Sequence, residues 1–264
     1  MRPRHAVITG GSSGIGLAVA RRLAERGATV SLIARGEQRL GAAAAELRAA
    51  GADVLTAAVD VSDGPAVRRA MAELESDAGP CDVLVTSAGQ ARPGRFLDLD
   101  DDVFRTMMEV DYFGTLHSIR AVAPGMVRRR HGSIVAVSSG AALLGIYGYS
   151  AYGPAKFAVR GLLESLRDEL TPSGVHVACV FPPDVDTPQL AEENRHKPAE
   201  TFAISGTVRP MSADAVADAV LEGIDKRRFA IYPNAEMRLL AAAAPPLAPI
   251  VRRLVDRKVR RART

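Results

Sequence analysis

Tyr152 and Lys156 stand four residues apart in Tyr152-Gly153-Pro154-Ala155-Lys156, so a helix through this segment puts both side chains on one face. A free phenol, with a pKa of about 10, is a poor acid or base near neutrality. A neighbouring ammonium favours the phenolate, and the expectation is that Lys156 lowers the Tyr152 pKa into a usable range. Ser139 lies thirteen positions upstream, at the end of a strand pattern, where its hydroxyl can bond a substrate oxygen as charge develops on it. A Tyr and a Lys four apart are, by themselves, ordinary surface neighbours. Joined to Ser139 and to the glycine turn near the N-terminus, they become the proton-handling part of a redox centre whose hydride chemistry belongs to a cofactor.

That turn is Thr9-Gly10-Gly11-Ser12-Ser13-Gly14-Ile15-Gly16, between a strand pattern and a helical pattern through Leu17, Val19, Ala20, Leu23 and Ala24. Glycines there let the backbone approach a pyrophosphate, and free N–H groups at a helix start supply its counter-charge. Gly10, Ser12, Ser13, Gly14, Ile15 and Gly16 are therefore expected to bind a dinucleotide. The second strand ends about 20 residues further on, where an NAD site usually has an acid for the ribose hydroxyls. This chain has Ala34 followed by Arg35, with Arg39 one turn later. A guanidinium can hold a 2′-phosphate through two hydrogen bonds, which points to NADPH/NADP+. The other reading of Arg35 is a surface residue at a helix start, with Glu37 partly mimicking the acid. Asp60 and Val61 end the third strand, where the carboxylate could meet the adenine amino group or cap the next helix. Ser87, Ala88 and Gly89 close the fourth with small side chains that leave room for a ribose.

The elements needed to position these residues follow from the alternation of short apolar runs with longer segments of helical period. Strands are expected near residues 6–9, 29–34, 53–58, 83–86, 133–138, 175–181 and 229–232. Runs such as Ile134-Val135-Ala136-Val137 belong in a sheet covered on both faces. The fold class is thus α/β, a single doubly wound Rossmann-type parallel sheet with helices on both faces, over residues 1–233. Residues 187–210, with Pro188, Pro198 and several charges, break the rhythm where a substrate lid would sit. With 264 residues, 47% of them hydrophobic, the chain can bury such a core. Aromatic residues make up 5% and Trp is absent, which argues against a base-stacking surface or an indole-lined sugar cleft.

Cys81 and Cys179 fall in apolar strand-like runs with no paired spacing, and read as reduced core thiols. The five histidines lack paired ligand spacing, so no metal is expected. Arg2, Pro3 and Arg4 lead directly into a strand pattern, which makes a cytoplasmic location the expectation. The formal net charge is +4, but residues 251–264 hold seven basic side chains against Asp256, leaving the remainder mildly acidic and giving no case for nucleic acid. Residues 234–264 form an apolar and then basic amphipathic tail. Pro245, Pro246 and Pro249 interrupt its apolar part, which is too short to span a bilayer. Ile250, Val251, Leu254, Val255 and Val259 recur at helical spacing, the pattern of peripheral contact with an anionic membrane; a helix docked on a dimer partner and a solvated basic end are the alternatives.

On Thr9 to Gly16, Ser87 to Gly89, Ser139, Tyr152 and Lys156, the sequence resembles the short-chain dehydrogenase/reductase family over nearly its whole length. The resemblance implies a Ser-Tyr-Lys triad at Ser139, Tyr152 and Lys156, with Lys156 also touching the nicotinamide ribose alongside Tyr152. It further implies cofactor contacts from Val185 and Thr187 in Pro182-Pro183-Asp184-Val185-Asp186-Thr187, and a homodimer or homotetramer. Asp111 replaces the family's usual Asn, whose helix bend holds a proton-relay water, and is carried as the fourth catalytic residue. Thr86 and Ser87 replace a common Asn pair, and Pro183 a usual Gly. A narrower likeness, on Phe181 to Pro188 and Glu192 to Thr201, is to the 3-ketodihydrosphingosine reductases, which implies NADPH-dependent reduction of a long-chain, lipid-like ketone. Another 3-oxoacyl, steroid-like or secondary alcohol substrate, and a non-catalytic NADP(H) sensor, are the alternatives.

Overall fold

A computed structural model describes residues 3–205 and 209–263 of the chain. Its centre is a seven-stranded, wholly parallel sheet in the order β3-β2-β1-β4-β5-β6-β9. The strands are β1 (His5–Thr9), β2 (Thr29–Ala34), β3 (Val54–Ala58), β4 (Val83–Thr86), β5 (Ser133–Val137), β6 (His176–Val180) and β9 (Ala230–Ile231). All seven expected strands are present. Alternate residues serve opposite faces, so Ala6, Ile8 and Leu32 join one buried cluster while Val7, Ile33 and Leu84 join the other.

The first face is covered by α1 (Gly14–Glu25), α2 (Glu37–Ala49) and α9 (Ala213–Asp225), and the second by α3 (Gly64–Ala78), α5 (Gly114–Arg129) and α6 (Tyr152–Leu170). Cys81 and Cys179 are buried free thiols within the second cluster. Ahead of α5, α4 (Asp101–Met107) runs through a π-helical turn, Met108–Phe113, which widens the helix by one residue per turn.

Residues 187–210, expected to form a lid, contain α7 (Pro188–Asn194) and α8 (Ala199–Ser205), and residues 206–208 lie outside the described residues. Two short strands, β7 (Val185–Asp186) and β8 (Met211–Ser212), pair on either side of this segment, which the sequence pattern does not predict. The tail is α10 (Ala235–Arg263), which packs against α8. Pro245, Pro246 and Pro249, expected to interrupt it, lie within one continuous helix; proline removes a donor but its fixed φ matches the helical value. The side chains of Ile250, Val251, Leu254 and Val255, which carried the amphipathic reading, lie outside the described residues. Among the described residues no helix is long and apolar enough to cross a membrane.

Candidate active site

The strand order reverses between β1 and β4, and the crevice outside the carboxyl ends of such strands is where a doubly wound sheet binds its ligand. A cavity of about 710 Å³ opens there. Every expected site residue lines it except Gly16, Asp60 and Asp111.

Gly10 has φ +71°, and a Cβ there would stand 2.6 Å from the Ala88 nitrogen, so the turn after β1 touches the end of β4. A Cβ on Gly16 would run into the Gly10 carbonyl oxygen; Gly16 seats α1 against the turn rather than facing the cavity. Gly14, at φ +54°, lies opposite Thr187, whose methyl would be 2.9 Å from an added Cβ. Thr187 caps α7, accepting from the Leu190 N–H at 3.3 Å, and donates to the Val185 carbonyl at 3.1 Å. Bare backbone at positions a side chain would fill, with the α1 N-terminus behind it, suits a pyrophosphate. Arg35 and Arg39 stand at the β2 edge of the same cavity, where a 2′-phosphate would lie. The Asp60 carboxylate is turned to Ser62, accepting from its N–H at 2.9 Å and its hydroxyl at 2.7 Å, and to Arg35 at 3.6 Å. Asp63, not Asp60, caps α3.

Tyr152 and Lys156 open α6, both buried. The Ser139 hydroxyl hydrogen-bonds the Tyr152 phenol and accepts from the Ala141 N–H at 3.1 Å. The Lys156 ammonium donates to the Val137 carbonyl at 3.1 Å and pairs with Asp111 Oδ1 at 3.2 Å. Gly89 makes this approach feasible, because a Cβ there would stand 2.5 Å from Asp111 Oδ1 and 3.3 Å from the ammonium.

Asp111 sits in the π-helical turn, fully buried. Its carbonyl accepts from the Thr115 hydroxyl at 2.8 Å, and Oδ1 also accepts from the Gln90 N–H at 3.2 Å. Oδ2 is buried with no hydrogen-bond partner among the described residues. Burial raises the Asp111 pKa, and Lys156 opposes that rise.

The expected lowering of the Tyr152 pKa does not appear. Burial, then the charges of Asp111 and Glu193, push the phenol well above its ordinary value, and the Ser139 hydrogen bond only partly opposes them. The reason is geometric. Lys156 is 5.6 Å from the Tyr152 ring centroid, and its charge is taken up by Asp111.

Sequence reasoning missed a second polar group in the cavity. Glu193, on α7, is buried and accepts from the Tyr149 hydroxyl and from Gln189 Nε2, each at 2.9 Å. Nearby, Lys197 pairs with Asp184 at 3.2 Å. No spacing rule would have found Glu193, since its partner Tyr149 is 44 positions away. Leu144, Ile146, Leu190, Ile204, Met237 and Leu240 give the cavity an apolar wall, to which α7, α8 and the first turns of α10 contribute.

Residues 4–198 match the model of the short chain dehydrogenase family. The chain belongs to that family and is an oxidoreductase of its class. Within it, the chain is 39% identical over 251 residues to the 3-dehydrosphinganine reductase of Danio rerio, covering 93% of this chain and 76% of that one. It is 38% identical to the 3-ketodihydrosphingosine reductase of Bos taurus, with the same coverage. Among solved structures, a short-chain dehydrogenase from Sphingobium yanoikuyae in complex with NADPH superposes with a TM-score of 0.80 at 29% identity, covering 93% of each chain. An actinorhodin polyketide ketoreductase variant with NADPH also gives 0.80 at 29% identity, covering 87% of this chain and 95% of that one.

Proposed function

We propose that this protein reduces a ketone to a secondary alcohol with NADPH, and that its substrate is a long-chain 3-keto sphingoid base, 3-ketodihydrosphingosine, giving dihydrosphingosine. The observation that carries this reading is one cavity holding the glycine turn and Arg35 at one end, Ser139, Tyr152 and Lys156 in the middle, and an apolar wall at the other. The names of the most similar relatives support the substrate, and the complexes of the structural neighbours support the cofactor.

The glycine turn, Arg35, Arg39 and Thr187 would hold the cofactor, which when bound supplies hydride to the carbonyl carbon. Ser139 orients the keto oxygen by hydrogen bonding. Tyr152 donates its proton to that oxygen as negative charge builds on it. The raised Tyr152 pKa serves this direction, because the phenol stays protonated until an alkoxide forms beside it. Lys156, fixed by Asp111 and the Val137 carbonyl, stands beside the Tyr152 ring, where its ammonium would meet the nicotinamide ribose of the bound cofactor. The apolar wall takes the alkyl chain, whose removal from water contributes roughly 0.8 kcal/mol per methylene.

The test is NADPH oxidation by purified protein with 3-ketodihydrosphingosine and with short 3-oxoacyl thioesters. Turnover of the long-chain base is expected. Turnover of the thioesters alone rejects this substrate while keeping the chemistry, and cofactor binding without turnover of any ketone favours a sensor. Within the same reading, we propose that the basic end of α10 holds the enzyme at an anionic membrane where such a lipid resides. Deleting residues 251–264 should then weaken pelleting with anionic vesicles and leave NADPH binding intact.

A further inference from the structure

Two carboxylates near Tyr152 are buried, Asp111 and Glu193, while Asp184 is exposed, and the ammonium groups of Lys156 and Lys197 are engaged by Asp111 and Asp184 rather than by Glu193. Asp111 has Lys156 and Asp184 has Lys197, each at 3.2 Å. Glu193 is left with neutral donors, the Tyr149 hydroxyl and the Gln189 amide, and Lys197 acts on it only through space. A carboxylate withdrawn from water and held only by neutral groups is costly unless a cation joins it. Glu193 also lines the cavity, and the Tyr149 ring that holds it lies 5.7 Å, centroid to centroid, from the ring of Tyr152. Its charge is felt at the Tyr152 phenol. Glu193 thus lines the same cavity as Ser139 and Tyr152, one aromatic ring removed from the phenol.

We propose that Glu193 binds the ammonium of a substrate carrying an amine on the carbon next to its ketone, so that the enzyme selects long-chain amino-ketones over plain ketones of the same length. This rests on the reading of the site as a ketone reductase and deepens it. Tyr149 and Gln189 fix the carboxylate oxygens, and the incoming ammonium supplies the charge that the protein leaves out. A 2-amino-3-ketone meets both demands at once, with its oxygen at the phenol and its amine at Glu193. The plain ketone would leave a buried carboxylate without a cation.

The experiment compares wild type, Glu193→Gln and Tyr149→Phe on 3-ketodihydrosphingosine and on the same chain lacking the 2-amino group. Glu193→Gln keeps the shape and loses the charge. The ratio of kcat/KM for amine over deamino substrate should exceed ten in the wild type and fall at least tenfold in Glu193→Gln, mainly through KM. Tyr149→Phe keeps the carboxylate and should keep most of the preference. NADPH fluorescence titration of each variant shows whether its cofactor site is folded. Equal losses on both substrates in Glu193→Gln, or equal loss of preference in the two variants, would mean that Glu193 only fastens α7 to Tyr149, and would overturn the proposal. A wild type that reduces both ketones equally well also overturns it and leaves the reductase reading standing. A wild type that reduces deamino ketones but no amino-ketone removes the sphingoid-base reading itself.

Discussion

The two ends of the central sheet use buried polar groups in opposite ways. At the amino ends, His5 bonds the Gly79 carbonyl through Nδ1 at 2.7 Å and the Ser31 hydroxyl through Nε2 at 2.8 Å. His176 meets the Ser133 hydroxyl at 3.3 Å and the Arg228 carbonyl at 3.0 Å. Both imidazoles have both nitrogens satisfied, and they tie strands to the connections that enter them. At the carboxyl ends, Thr86 Oγ1 and Asp111 Oδ2 are buried with no hydrogen-bond partner among the described residues, and the Glu193 carboxylate accepts from neutral donors, Tyr149 and Gln189. An unmet buried polar atom costs about 1–3 kcal/mol, so one end stabilises the fold while the other carries that cost beside the cavity. This division agrees with the rule that open parallel sheets bind at the carboxyl ends of their strands.

The largest expected effect strikes the carboxyl end alone. Tyr152→Phe should lower ketone reduction by about 10²–10⁴-fold, the usual worth of a positioned proton donor, while NADPH fluorescence titration shows binding retained. A variant that keeps more than a tenth of the wild-type rate would mean that the proton comes from another group. Next in size is Arg35→Ala. A charge-assisted hydrogen bond contributes about 1.5–3 kcal/mol, and Arg35 is largely exposed, so the KM for NADPH should rise about tenfold with little change for NADH. Equal shifts for both cofactors would assign Arg35 to its pairing with Asp60 instead.

Asp111→Asn gives a smaller and more diagnostic change. The Asp111 charge raises the Tyr152 pKa, so its removal should bring that pKa down. In the alcohol-oxidation direction, which needs the phenolate, the rise in kcat/KM with pH should then begin at lower pH than in the wild type. A profile that does not move, or moves to higher pH, would show that Asp111 acts only by holding Lys156. Measured over the same range, wild type and variant differ by one charge on one residue, so the comparison isolates its electrostatic part.

How far the sequence revealed each end follows from how local the signals are. The seven strands could be read because runs such as Ile134 to Val137 are continuously apolar, and the glycine turn because its spacing between strand and helix is local. Ser139, Tyr152 and Lys156 could be read for the same reason. The π-helical turn at Asp111 could not, since one extra residue per turn barely disturbs a helical pattern. Two-residue strands such as β7 and β8 are too short to carry a period. The direction of the Tyr152 pKa is not legible in the sequence because it depends first on burial and then on Asp111 and Glu193, which reach the phenol from the π-helical turn and α7 rather than from α6. Pairwise spacing finds Lys156; only the assembled site shows that Asp111 has taken up its charge.

The smallest expected effect tests the amino end. Burial lowers the pKa of both His5 and His176, so as pH falls the unfolded chain takes up these protons before the folded one does. Their contribution to stability is therefore fully present above the unfolded value of about 6.5 and is lost progressively below it. Glu193 at the other end has the opposite sign: its pKa is raised, so it favours the folded state most below the ordinary carboxylate range and loses that contribution as pH rises through its folded pKa. Urea unfolding at pH 7.5 and pH 5.5 should show the wild type weaker at the lower pH. The double variant His5→Asn, His176→Asn should show a smaller drop or none, and Glu193→Gln a larger one. If the histidine variant keeps the full wild-type drop, acid sensitivity does not originate at the amino ends of the strands, and the division between a stabilising end and a reactive end fails on the side where it has been argued from hydrogen bonds alone.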